Sequence, residues 1–222
     1  MSFLNWQSID TVFLDMDGTL LDLHFDNHFW LTHLPLRYAE KYHLSFEAAK
    51  ATLLSRYEDM LGTLEWYCVD YWSTQFNMDV AKLKEEVAHL IAVRPEVVAF
   101  LSGLREHNKR VVLLTNAHNK SLSLKMQRTE IAHYFDRLVC AHDLGLPKED
   151  ANFWQKLQKF EPFVVEQTLL IDDSLPVLRS AAGYGFCHML GIYQPDSQLS
   201  PKAAGEFRAI RSFREIFVQG TL

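Results

Sequence analysis

The chain has 222 residues, of which 48% are apolar and 13% aromatic, with a formal net charge of −6. That is enough apolar material for one large domain, or for one domain with a smaller insert. It is too acidic, with Lys and Arg too scattered, for a surface that tracks a nucleic acid polymer. No run of about 18 apolar residues occurs, so no membrane-spanning helix is expected. Cys68, Cys140 and Cys187 are widely spaced and odd in number, a pattern of reduced thiols rather than of a disulfide frame or a zinc site. The opening stretch MSFLNWQSID has no basic region followed by a long apolar core, so no signal peptide and a cytoplasmic location are expected.

Residues 11–14, TVFL, form a short apolar run closed by a glycine-containing turn, which predicts a buried parallel strand. From about residue 24 to residue 93 the texture is helical. Residues 28–43 are amphipathic, with Pro35 forcing a start or a kink. Ser45 has the character of an N-cap, and residues 64–76 and 79–91 read as further helices. No strand interrupts this block. Residues 23–93 are therefore expected to form an inserted all-helical cap domain, leaving 1–22 and 94–222 as the core domain.

Alternation resumes after the insert. Helices are expected at 95–107, 121–135, 151–160, 175–182 and 207–217, and strands at 110–114, 137–140, 168–171 and 186–190. Strands alternating with helices imply parallel units with right-handed crossovers. The fold class expected is α/β, a doubly wound, Rossmann-like parallel sheet.

Polar groups of useful kinds close these strands. Asp15 and Asp17 stand two residues apart, on one side while the strand period lasts, in the crevice where open α/β sheets bind ligands. Two close negative charges repel by several kcal/mol at intermediate dielectric, so a hard cation such as Mg²⁺ is expected between them. Thr115 either gives a hydroxyl donor to an anion at a helix start or caps that helix. Lys148 either sets a point charge on a phosphate or the carboxylates, or is a solvated loop lysine. Asp172 and Asp173 either ligate a divalent ion or begin a helix favoured by its dipole. Acid, hydroxyl, lysine and acid arrive in that order on apolar strands or the loop between them. Trp66, Tyr67, Tyr71 and Trp72 offer stacking faces for a base, or pack the insert. His24, His28 and His118 read as ordinary helix or loop histidines, since no paired metal spacing accompanies them. Asp22 reads as a hinge or capping group.

The constellation Asp15-Met16-Asp17-Gly18-Thr19, Thr115-Asn116, Lys148 and Asp172-Asp173 resembles the four motifs of the haloacid dehalogenase superfamily, and the helical insert resembles that family's cap. An acid at position 17 resembles the phosphatase branch. The resemblance implies Asp15 as a nucleophile that forms an aspartyl-phosphate, and Asp17 as proton donor and then activator of water. It also implies Mg²⁺ held by an Asp15 oxygen, the Asp17 backbone carbonyl and the Asp172–Asp173 pair, with Asp173 on the direct-ligand position and Asp172 acting through water. Thr115, Asn116 and Lys148 would bind the phosphoryl group. Val177 departs from members that carry a further Asp there. The segments DMDGTLLDLHFDNHFW, GTLEWYCVDYWS, LLTNAH and LGLPKED are similar to bacterial GMP/IMP-type nucleotidases. The partner implied is a small phosphate ester, a nucleoside monophosphate on this resemblance, with Trp66, Tyr67 and Trp72 as cap contacts. The alternative on the same scaffold is a sugar-phosphate phosphatase or phosphomutase. A receiver-type phospho-acceptor module fits poorly, because it places adjacent acids after its first strand and the phosphorylated Asp after a middle one. Oligomeric state is left open.

Overall fold

Residues 11–14 do form the strand around which the sheet is laid. In the computed structural model, which describes residues 4–218, Thr11–Leu14 (β1) lies between Arg110–Thr115 (β2) and Thr168–Ile171 (β4). Arg137–Cys140 (β3) pairs outside β2, while His188–Ile192 (β5) and Ala209–Ile210 (β6) extend the other side. The order is β3-β2-β1-β4-β5-β6, and every pairing is parallel. The chain works outward from β1 in one direction, then returns to begin again at β4. The β1–β4 boundary is thus the topological switch point, where side chains of two strand ends face a common crevice. Residues 1–3, which open the stretch read above for a signal peptide, and residues 219–222 lie outside the described residues. Among the described residues no helix is long and apolar enough to cross a membrane.

The helices of the block that directly follows β1 come first in the chain: His24–His28 (α1), Leu34–Tyr42 (α2), Phe46–Glu58 (α3), Val69–Phe76 (α4) and Val80–Glu86 (α5). They close around their own cluster of Phe25, Phe29, Leu53, Tyr57, Trp72 and Phe76. Pro35 sits in the first turn of α2, and the register widens into a π turn, Phe29–His33, just upstream of it. A missing N–H in the ladder is a sufficient cause for such a widening. Ser45 caps α3 by accepting from the Ala48 N–H at 3.2 Å.

The remaining helices are Val97–Glu106 (α6), Asn119–Thr129 (α7), Ala141–Leu144 (α8), Phe153–Phe160 (α9) and Leu175–Tyr184 (α10). Successive residues of β1 feed opposite layers, as the strand period requires. Val12 and Leu14 join α6 and α7 on one face, and Phe13 joins α9 and α10 on the other.

The structure corrects four sequence-based expectations. The stretch 207–217 is not a helix. Ala209–Ile210 adds a sixth strand beside Gly191-Ile192, and Ser212 with Glu215 forms a capping box on a short 3-10 turn. The helix expected at 121–135 stops at Thr129, where Glu130 turns left-handed at φ 56°. The helix expected at 64–76 is broken by extended Cys68, whose thiol caps α4. Trp72 is no cavity residue: it is 1% exposed, packs parallel to Phe76 at 5.1 Å, and donates its indole N–H to the Trp66 carbonyl at 2.8 Å. Trp72→Ala should therefore cost about 3–5 kcal/mol of stability in chemical denaturation, and an unchanged denaturation midpoint would show that the ring is not core.

Candidate active site

Asp15 leaves β1 with its N–H donated to the Ile171 carbonyl at 3.0 Å, and Asp172 leaves β4 with its N–H donated to Leu190 at 3.1 Å. The parallel register sets Leu14 against Ile171, so the next residue of each strand emerges at the same edge. Gly18 then turns the chain back at φ +81°, and a Cβ there would lie 2.8 Å from the Asp173 carboxyl. Glycine is required twice at this position, for the dihedral and for the close approach.

Lys148 reaches into this edge and is buried. Its ammonium donates to Asp15 Oδ1 at 2.7 Å, to Asp172 Oδ2 at 2.7 Å and to the Leu114 carbonyl at 3.1 Å. All three of its protons are thus directed at protein acceptors. Asp172 also accepts from the Ser174 N–H at 2.9 Å, whereas Asp173 leans outward to Lys202 at 3.1 Å. Burial pushes Asp15, Asp172 and Asp173 up to about 6, while the adjoining carboxylates hold Lys148 well above its ordinary value in spite of burial.

Asp15, Asp172 and Asp173 each offer an oxygen within 4.8 Å of the others. Three crowded carboxyls against one buried ammonium leave negative charge in excess, and the donors are all oxygen. That set fits a hard divalent ion such as Mg²⁺ and not a thiophilic one. The Asp17 carboxyl stands apart, 2.6 Å from the ammonium of Lys125.

Lys125 is also fully buried, and it opens a second charged chain that the sequence pattern does not flag. Its ammonium lies 2.6 Å from Asp26 of α1, and the other oxygen of Asp26 accepts from Lys84 of α5 at 2.7 Å. Burial raises Asp26, but Lys125 and Lys84 together outweigh it and hold that carboxyl at about 2. Asp17 goes the other way: burial, then the charges of Asp26 and Asp15, lift it to about 6 against the pull of Lys125. Burial and the neighbouring Lys125 charge lower Lys84. One lysine thus joins a fixed anion, Asp26, to an acid that protonates near neutrality, Asp17. The available signal was periodicity. Lys84 follows Val80 by four and Lys125 follows Ser121 by four, on helix faces that are otherwise buried.

A cavity of about 230 Å³ lies over this edge, roofed by the helical block. Asp15, Asp17, Thr115, Asn116, Lys148, Asp172 and Asp173 line its floor. Trp66 and Tyr67 line its roof, together with Trp30, which the π turn presents and which closes the segment DMDGTLLDLHFDNHFW. The rings of Trp30 and Trp66 lie near parallel, 6.4 Å apart. Tyr71 turns away and donates to the Met60 sulfur at 3.4 Å. Tyr67 donates its hydroxyl to Glu149 at 2.6 Å, and Asn116 donates its amide to the same carboxylate at 2.8 Å. The Asn116 oxygen accepts from the Lys148 N–H at 2.9 Å, so this side chain braces the lysine loop. The Thr115 oxygen accepts from the Ala117 N–H at 3.0 Å, which leaves the hydroxyl proton to donate into the cavity. Val177 lines the same space. Asp22 accepts from the N–H groups of His24 and Ser197, both at 3.0 Å, a capping role at the entrance to the helical block.

The haloacid dehalogenase-like hydrolases, as a family profile, match residues 9–185. The chain is 37% identical to the GMP/IMP nucleotidase YrfG of Escherichia coli (strain K12) over 211 residues, covering 95% of each chain. It is 25% identical to the pyrimidine 5′-nucleotidase YjjG of the same organism over 150 residues, covering 63% of this chain and 65% of that one. A solved HAD phosphatase from Thermococcus onnurineus superposes with a TM-score of 0.78 at 19% identity, covering 93% of this chain and 95% of the other.

The Asp26 bridge has a signed consequence. A carboxyl held at about 2, below its ordinary 3.8, stabilises the fold above the ordinary value and loses that contribution as pH falls through 2. Asp26→Asn should therefore cost about 2 kcal/mol at neutral pH, and its deficit should shrink between pH of about 4 and about 2. Denaturation curves across that range check this, and a deficit independent of pH would contradict it.

Proposed function

The chain belongs to the family of haloacid dehalogenase-like hydrolases, and on that premise we propose that it hydrolyses purine nucleoside 5′-monophosphates through an aspartyl-phosphate formed on Asp15. The observation that carries this reading is one cavity holding both parts: an Asp15–Lys148 pair on its floor and two near-parallel indoles, Trp30 and Trp66, in its roof. The share of sequence held in common with the GMP/IMP nucleotidase supports the choice of purine nucleotides.

Lys148 keeps Asp15 ionised and fixes the direction of its attacking oxygen. That oxygen forms a bond to phosphorus as the bond from phosphorus to the nucleoside 5′-oxygen breaks. Asp17 passes its proton to the departing oxygen, then takes a proton from the water that attacks the acyl phosphate and frees Asp15. The carboxyl raised by burial is suited to both directions of transfer. Thr115 gives a hydroxyl hydrogen bond to the transferring group. Asp15, Asp173 and the backbone carbonyl of Asp17, with Asp172 behind them, would hold Mg²⁺, which when bound offsets the charge of the phosphate. Residues 23–93 act as a cap over the domain of residues 1–22 and 94–222. A hydrophobic cluster of its own supports treating that block as a unit.

Phosphate release from a panel of nucleotides and sugar phosphates tests the substrate. GMP and IMP should turn over fastest, and a preference for sugar phosphates would overturn the nucleotidase reading. Asp15→Asn should abolish turnover without loss of fold, and excess chelator should silence the wild type until Mg²⁺ is restored. Trp66→Ala should raise KM for GMP about 5- to 150-fold, the equivalent of about 1–3 kcal/mol of base stacking, with little change for a small aliphatic phosphate ester. An equal rise for both esters would assign the ring to packing.

A further inference from the structure

Cys68, His118 and His142 meet at the seam between the helical block and the sheet domain. Each offers a ligand atom, and these atoms lie within 4.8 Å of one another. We propose that they form a binding site for a borderline-soft divalent ion of the Zn²⁺ class, which clasps the helical block to the sheet domain.

Local structure holds each member in place. Cys68 is extended ahead of α4, with its sulfur capping the Tyr71 N–H at 3.4 Å. His118 precedes α7 and caps the Lys120 N–H at 3.3 Å, and His142 stands on α8. The two imidazoles meet edge to face with centroids 5.0 Å apart. The Nε2 atom of His142 is buried and has no hydrogen-bond partner among the described residues. Buried polar atoms are rarely left so, and each such case asks for a missing partner. The Asp70 carboxylate lies 3.8 Å from His118 Nε2 and is held by Lys120 at 2.6 Å, so solvent rather than this acid completes the coordination.

One sulfur and two imidazole nitrogens select against Mg²⁺ and for Zn²⁺, Co²⁺ or Ni²⁺. This donor set is chemically opposite to the all-oxygen trio of Asp15, Asp172 and Asp173. The spacing explains its invisibility in the sequence, because positions 68, 118 and 142 match no short zinc motif and converge only through the fold. Cys68 lies before α4 in the helical block, and both histidines follow strand ends of the sheet domain. Binding displaces the thiol proton to solvent, so affinity should rise with pH.

Cobalt titration of the whole protein in saturating Mg²⁺ tests the site without reference to catalysis. One Co²⁺ should bind with tetrahedral visible bands and a thiolate-to-cobalt charge-transfer band, and Zn²⁺ should displace it and raise Tm. Cys68→Ser should lose the charge-transfer band, and His142→Ala should weaken binding by about tenfold or more. Both variants should retain the fold by circular dichroism and should no longer gain Tm with Zn²⁺. A wild type without the band, a band that survives Cys68→Ser, or cobalt binding abolished by Asp173→Asn would each overturn the proposal. These readouts stand whether or not the protein turns over nucleotides.

Discussion

A single buried ammonium, that of Lys148, makes the crowded edge of this sheet tenable. Parallel register delivers Asp15 and Asp172 to adjacent strand ends, where two carboxylates in a low dielectric would otherwise repel strongly. Lys148 stands between them at 2.7 Å from each. Asn116 secures its loop from β2, and Glu149, the next residue, reaches Tyr67 of the helical block. The charge that allows the carboxylates to coexist is therefore placed by contacts from both sides of the cavity.

Lys125 repeats the device one layer out. It joins Asp17 on the sheet domain to Asp26 on the helical block, and Lys84 completes the chain. Removing one partner from a buried pair of this kind is costly, because it leaves the other charge buried and uncompensated. Asp17, just past β1, and Asp26 of α1 share one buried ammonium, each 2.6 Å from Lys125.

Much of the floor was legible because strand period and strand order are simple rules. An apolar run ending in DxDG, another ending in Thr115 and a third ending in Asp172-Asp173 must come together once the three strands are parallel neighbours. The roof was not legible in the same way. Trp30 enters the cavity through a π turn that no pattern of three and four predicts, while Trp72, equally aromatic and close in sequence to Trp66, is consumed by packing on Phe76. Asp26, Lys84 and Lys125 look like ordinary helix charges until three helices bring them together. The closing segment misled because its apolar residues suit a helix as well as the short strand and turn they form.

Asp15 should carry the phosphoryl group during turnover. Acid quenching the enzyme during steady turnover of GMP, followed by digestion and mass spectrometry, reads this directly. A phosphoryl mass on the peptide that spans residues 11–22, localised to Asp15, is the predicted result. A phosphoryl group on another side chain, or turnover with no labelled protein at any quench time, would contradict Asp15 as the nucleophile.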